Sequence, residues 1–162
     1  MAPLHRLLAD NLARAQAALE GFAEERYAVR TRLASDRFEA LPAMRRHAED
    51  FATAVDGLRK SLLRIIDTES PSRAEPARAA LAVIERVAPD VKAVRDSIAH
   101  ADERALLLRR GKPIPVSEPL LLDRNVVGDK LQLLGGDGTV LHLEVNDRVL
   151  NAIREATEEV LD

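Results

Sequence analysis

The first half of the chain repeats apolar residues at spacings of three and four, which is the period of an amphipathic α-helix. One apolar stripe ends at Leu33, and a second begins at Leu41 after a break at Ser35 and Asp36. We therefore expect two long helices, with Pro42 in the first turn of the second, where proline is tolerated. The two stripes comprise Leu8, Leu12, Ala15, Leu19, Phe22, Val29 and Leu33, and then Leu41, Met44, Ala48, Phe51, Val55, Leu58, Leu62 and Ile65.

A third apolar stripe, from Leu81 to Leu108, follows a tract rich in proline and hydroxyl residues at 68–76. Such a tract favours turns and helix caps, so we expect the next helix to begin near Pro76 or Ala77. Pro89 lies inside the stripe, and an internal proline disrupts a helix. The pattern predicts two helices here, the second of which runs to about Arg109.

In the last third of the chain, the helical spacing of apolar residues gives way to prolines, glycines and short apolar runs. Residues 111–119 contain three prolines and are expected to be extended. Two short apolar runs, Leu131–Leu134 and Val140–Val145, flank the glycine-rich segment Gly135–Gly138, which is typical of a β-hairpin. Asn146 or Asp147 is then expected to cap a final helix through Leu161.

These elements predict a mainly α fold, an antiparallel bundle of about four helices with a C-terminal β-hairpin and a short terminal helix. Residues 1–110 would form the bundle, residues 111–119 a Pro-rich connection, and residues 120–162 the hairpin and last helix packed on the bundle. The whole would be a single domain, because 162 residues is an ordinary size for one.

Composition narrows the possible functions. The chain has no cysteine, which excludes disulfides and thiolate chemistry, and only 2% of its residues are aromatic. Its formal net charge is -3, so a broad basic surface for nucleic acid is not expected, although 20 of the 24 basic residues are arginine. His5, Arg6 and Asp10 interrupt the N-terminal apolar residues, so the start does not resemble a signal peptide. We expect a cytoplasmic protein that does not contact a membrane.

Candidate chemistry is limited to histidine. The chain lacks the Glu-x-x-His pairs of di-iron bundles, the His-Glu-x-x-His motif, phosphate-binding glycine loops and the Gly-x-Ser-x-Gly elbow, so neither a metal nor a cofactor is expected. We expect His5 at a terminus, His142 on the solvent side of the hairpin and His47 in a charged, solvated helix face to be inert. His100 remains as the candidate.

His100 stands in the segment Arg95-Asp96-Ser97-Ile98-Ala99-His100, which we call the motif. Asp96 lies four residues before His100 and thus on the same helix face, where a carboxylate can orient an imidazole that serves as a general acid or base. Arg95 lies five residues before His100, about 140° away around the helix. Both side chains could act on one substrate only if the long Arg95 side chain reached across, or if a second subunit supplied one of the two residues.

The motif resembles that of the HEPN superfamily, helical-bundle proteins that carry Arg-x4-6-His on a late helix of the bundle, often with a polar residue directly after the arginine. The resemblance implies that Arg95 and His100 of two protomers meet across a homodimer interface and cut RNA without a metal. His100 would act as acid or base, Arg95 would stabilise phosphate charge, and Asp96 would support them.

The resemblance also implies a toxin–antitoxin or defence setting, with a nucleotidyltransferase-type antitoxin as a partner. Toxins of that pairing often carry a tyrosine two positions after the histidine, and this chain has Asp102 there. Two alternatives stay open: a non-catalytic HEPN-like module that binds a nucleotide or a protein, and a bundle whose N-terminal heptads dock a helical partner. In such a module the motif would be vestigial or would hold a nucleotide phosphate. Without a functional role, Arg95, Asp96 and His100 would form an ordinary charged helix face.

Overall fold

A computed structural model describes residues 3–31, 34–101, 108–113 and 125–162. Its described helices and strands confirm the predicted mainly α fold with a C-terminal hairpin. None of the described helices is long and apolar enough to cross a membrane. The helices are α1 (Pro3–Thr31), α2 (Ala34–Thr68), α3 (Pro71–Val87), α4 (Val91–Ala99) and α5 (Asp147–Leu161). The strands are β1 (Leu108–Arg109), β2 (Lys112–Pro113), β3 (Asn125–Val127), β4 (Lys130–Leu134) and β5 (Val140–Glu144).

Helices α1 and α2 pack along much of their length and supply about half of the core. The predicted stripe of α2 is its buried face, since every stripe position except Leu41 is buried. Two of the four aromatic residues, Phe22 and Phe51, are completely enclosed, and Tyr27 is 70% exposed. The other buried hydrophobic residues that the structure describes are alanine, valine, leucine, isoleucine and one methionine, as expected from the scarcity of aromatic residues.

The C-terminal elements complete the same core. Strands β3, β4 and β5 form an antiparallel sheet in which Leu131 lies opposite Leu143 and Leu133 lies opposite Leu141. These four leucines are buried against the helices. Helix α5 packs on α3 and α1, with Ile153 fully buried.

Two helix starts differ from the sequence expectation. Helix α2 begins at Ala34, so the expected break at Ser35–Asp36 falls within its first turn and Pro42 lies in its interior. Helix α3 begins at Pro71 and not near Pro76. Proline is favoured at the first helical position because its missing N–H would be unpaired there, so a helix can start earlier than its apolar stripe.

The predicted split at Pro89 is confirmed, because α3 ends at Val87 and α4 begins at Val91. The expectation that the second helix runs to Arg109 is wrong, since Leu108–Arg109 is a strand paired with Lys112–Pro113. A turn with positive φ at Arg110 (50°) and Gly111 (73°) reverses the chain between these strands. Residues 102–107 of the expected helix and residues 114–119 of the expected connection lie outside the described residues.

Asn146 joins three elements at the start of α5. Its side chain accepts a hydrogen bond from the Val149 N–H (3.1 Å), and its amide donates to Asp129 (2.8 Å) and Glu144 (3.2 Å). We expect Asn146→Ala to lower the free energy of unfolding by about 1–2 kcal/mol, as for the loss of an N-cap. Urea denaturation measures this, with Asn151→Ala on the exposed side of α5 as the control.

Acid should weaken the hydrogen bonds that Asn146 makes to Asp129 and Glu144. The Asn146 hydrogen bond holds the pKa of Asp129 below its ordinary value of 3.8, and Arg148 together with Asn146 holds that of Glu144 below 4.5. Carboxylates with lowered folded pKa values stabilise the fold above their unfolded pKa, and this stability is lost as the pH falls through the folded values. Below pH 4.5, we expect Asn146→Ala to lose stability less steeply than the unaltered protein. A parallel decline in both proteins would contradict this role of Asn146.

Candidate active site

The motif lies on α4, which is fixed to the core along one side. Val91 and Val94 are buried, and the buried Ser97 hydroxyl donates to the Leu134 carbonyl of β4 at 2.6 Å. This anchoring leaves the opposite flank of α4 toward the surface. His100 occupies the C-cap position, where its backbone N–H donates to the Asp96 carbonyl (3.1 Å), and it is exposed.

Arg95 is held between two carboxylates. Its side chain is 41% exposed, with Nε 4.0 Å from Asp56 Oδ2 of α2 and Nη1 donating to Asp96 Oδ1 at 3.4 Å. Asp96 thus contacts Arg95, whereas the spacing had suggested His100. The His100 ring makes no hydrogen bond within the described residues.

Asp56 is a site residue that the sequence reasoning missed. Its side chain is only 2% exposed, and it faces Arg95, Lys60 (2.5 Å) and Arg59 (3.9 Å). Asp56 therefore joins α2 to α4 through charge and limits where the Arg95 guanidinium can lie. The sequence gives only a weak signal for this residue, namely a carboxylate directly after the apolar stripe position Val55. Its arginine partner lies 39 positions away, so no local spacing links the two.

Within the chain, Arg95 and His100 are not joined by a hydrogen bond or ion pair. This lack of contact is consistent with the 140° expected from their spacing, and a second copy of the motif or the reach of Arg95 would bring both to one substrate. A small surface pocket of about 240 Å³ lies next to Asp96, between α4 and the β4–β5 turn. No group of three or more His, Cys, Asp or Glu residues within the described ranges could hold a metal ion.

The other three histidines lie apart from the motif. His142 is exposed on β5, where its backbone N–H donates to Asp90 (3.3 Å) and Nδ1 lies 3.4 Å from Gln132 Nε2. His5 is half-buried near the start of α1, and its Nδ1 has no hydrogen-bond partner in the described part of the chain. His47 is half-buried at the α1–α2 interface, with its ring close to Gly21, so the expected fully solvated face does not include it.

Comparisons of the chain with protein-family models, with curated proteins and with solved structures give no match.

Proposed function

We propose that the chain is a HEPN-like protein that acts as a homodimeric, metal-independent endoribonuclease in a toxin–antitoxin or defence setting. The observation that carries the proposal is the arrangement at α4: Arg95 and the C-cap residue His100 both reach the surface of one anchored helix, and within one chain no hydrogen bond or ion pair joins them. A two-fold arrangement of α4 helices would bring the Arg95 of one protomer and the His100 of the other to one cleft.

The proposed reaction uses only groups of the chain. One His100 removes the proton of the ribose 2′-hydroxyl, and the 2′-oxygen attacks phosphorus as the bond to the 5′-oxygen breaks. A protonated His100 from the other protomer gives its proton to the leaving 5′-oxygen. Arg95 stabilises the charge that develops on the phosphate oxygens, and Asp56 positions its guanidinium.

The distance between the two His100 positions in solution tests the proposed dimeric site. Because the chain has no cysteine, His100→Cys provides the only attachment point for a spin label. The proposal predicts a dimer in solution with one short, narrow interspin distance by pulsed electron paramagnetic resonance. Asp67→Cys, exposed near the end of α2, serves as the matched label away from the motif. A monomer, or a dimer whose His100 labels are far apart, would contradict the shared cleft.

A second candidate function is supported by the surroundings of Arg95. Both Asp56 and Asp96 lie within 4.0 Å of its guanidinium, so its charge is largely compensated before any phosphate arrives. This favours a non-catalytic HEPN-like module that binds a partner or ligand. Such a module would leave RNA intact but gain thermal stability with its ligand, since binding to the folded state stabilises it.

A further inference from the structure

Three cationic side chains from two helices surround the buried carboxylate of Asp56. The Lys60 ammonium lies 2.5 Å from Asp56 Oδ2, and Arg95 Nε lies 4.0 Å from the same oxygen. Arg59 Nη1 lies 3.9 Å from Asp56 Oδ1. We call Arg59 and Lys60 of α2 and Arg95 of α4 the basic cluster. One buried carboxylate therefore gathers cations from two helices beside the motif.

The basic cluster carries more positive charge than the carboxylates around it compensate. Asp56 is a single carboxylate shared by three cations, and Asp96 contacts Arg95. Arg59 and Lys60 form no ion pair with any other carboxylate of the described residues. These five side chains together leave one unit of positive charge, although the chain as a whole has a formal net charge of -3.

Unpaired polar atoms inside the basic cluster point to an anionic ligand. Asp56 Oδ1 is buried and accepts no hydrogen bond from the described residues, because Arg59 at 3.9 Å is too far away to donate one. The Arg59 side chain is only 22% exposed, yet its guanidinium donates no hydrogen bond within the described part of the chain. A guanidinium has five N–H donors in a plane that match the oxygens of a phosphate. Arg59 is thus held in place with its donors free for an external acceptor.

The basic cluster is open to a ligand and continuous with the motif. Lys60 is 54% exposed, and it shares Asp56 Oδ2 with the half-exposed Arg95. A strand whose scissile phosphate lies at Arg95 has further phosphates on either side of it. Proteins that bind single strands commonly track this backbone with positive side chains. The two cations of α2 lie where the next such phosphate can be bound.

We propose that Arg59 and Lys60 bind a phosphate that flanks the scissile phosphate of single-stranded RNA, and that Asp56 positions both cations together with Arg95. This inference rests on the proposed function, because it extends the same RNA substrate from α4 onto α2. A contact to phosphate does not read base identity, so the cations of α2 add affinity with little sequence preference. Arg59 and Lys60 bind substrate and take no part in proton transfer.

The probe is a fluorescent single-stranded RNA oligonucleotide whose 2′-hydroxyls are all methylated, so that the 2′-oxygen cannot attack phosphorus. Fluorescence anisotropy measures its affinity for the full chain over a range of salt concentrations. We expect Arg59→Gln and Lys60→Gln each to weaken binding about fivefold at low salt. Each should also make the fall of log affinity with log salt concentration shallower by about 0.7, the value for one phosphate contact to a single strand.

Lys130→Gln and Arg78→Gln are the matched controls. Each removes a half-exposed cation that lies beside a carboxylate, on β4 and on α3 respectively. We expect both to leave the salt dependence unchanged. The inference is overturned if the Arg59 and Lys60 variants keep the salt dependence of the unaltered protein, or if the controls reduce it equally. Thermal unfolding checks the fold, and the more exposed Lys60 retains the test should Arg59→Gln unfold.

Cleavage kinetics on unmodified RNA separate this inference from the proposed function. We expect Lys60→Gln to raise KM about fivefold with little change in kcat, because it removes binding that substrate and transition state share. If the unaltered chain cleaves RNA and Lys60→Gln has the same KM, the inference fails and the proposed function stands. If RNA stays intact but the methylated oligonucleotide binds through Arg59 and Lys60, the phosphate contact stands and the proposed function fails.

Discussion

Replacement of His100 by alanine is expected to reduce RNA cleavage about 10²–10⁴-fold, which is the usual contribution of a general acid or base. The fold should not change, because His100 is exposed and its ring makes no hydrogen bond within the described residues. A fluorescent RNA assay measures the rate, and thermal unfolding shows whether the variant remains folded.

His142→Ala is the matched control for this variant, since His142 is also exposed but lies on β5 away from the motif. We expect it to cleave RNA at the rate of the unaltered protein. If His100→Ala and the unaltered protein cleave equally well, the proposed role of His100 is wrong. If neither cleaves and RNA is left intact, the non-catalytic module is the better account.

Phe51→Ala should produce the largest loss of stability, about 3–5 kcal/mol in the free energy of unfolding. Phe51 is fully buried in α2 within the main core cluster, so its truncation leaves a cavity that the surrounding side chains fill only in part. A loss of this size is a large part of the 5–15 kcal/mol that stabilises a typical domain. Urea denaturation measures it directly.

Tyr27→Ala provides the comparison within the same residue class. Tyr27 is 70% exposed on α1, so its removal should change the free energy of unfolding by less than about 0.5 kcal/mol. Equal losses in the two variants would mean that Phe51 does not occupy the core as described.

The helices were predictable where one apolar face decides the structure. The stripe from Met44 to Ile65 is buried throughout, because three-and-four spacing leaves one side of α2 to face the other elements. The hairpin was predictable from its glycine-rich turn, and Asn146 from its capping chemistry. In each case the information lies within a few residues of the element itself.

Elements and contacts that depend on distant parts of the chain were not predictable. Strand β3 has only three residues, and it is a strand because it pairs with β4. The Leu108–Arg109 segment continues an apolar stripe yet pairs as a strand after the reversal at Arg110 and Gly111. Short strands carry too little pattern for period counting to identify them.

In the candidate site, too, local positions were predictable from the sequence and long-range contacts were not. The positions of Arg95 and Asp96 on one helix follow from local spacing, whereas the end of that helix directly before His100 was not expected. The Arg95–Asp56 and Asn11–Gly57 contacts join α2 to α4 and α1 to α2, and no local pattern specifies such partners. Spacing alone placed Asp96 beside His100, whereas the long arginine side chain reaches the same carboxylate.

Product analysis of the unaltered protein tests the proposed function most directly. RNA is incubated with the purified chain in excess EDTA, and the ends of the fragments are identified. The account predicts continued cleavage that leaves 2′,3′-cyclic phosphate and 5′-hydroxyl ends, as attack by the 2′-oxygen requires. Intact RNA, or cleavage that EDTA abolishes, would contradict it.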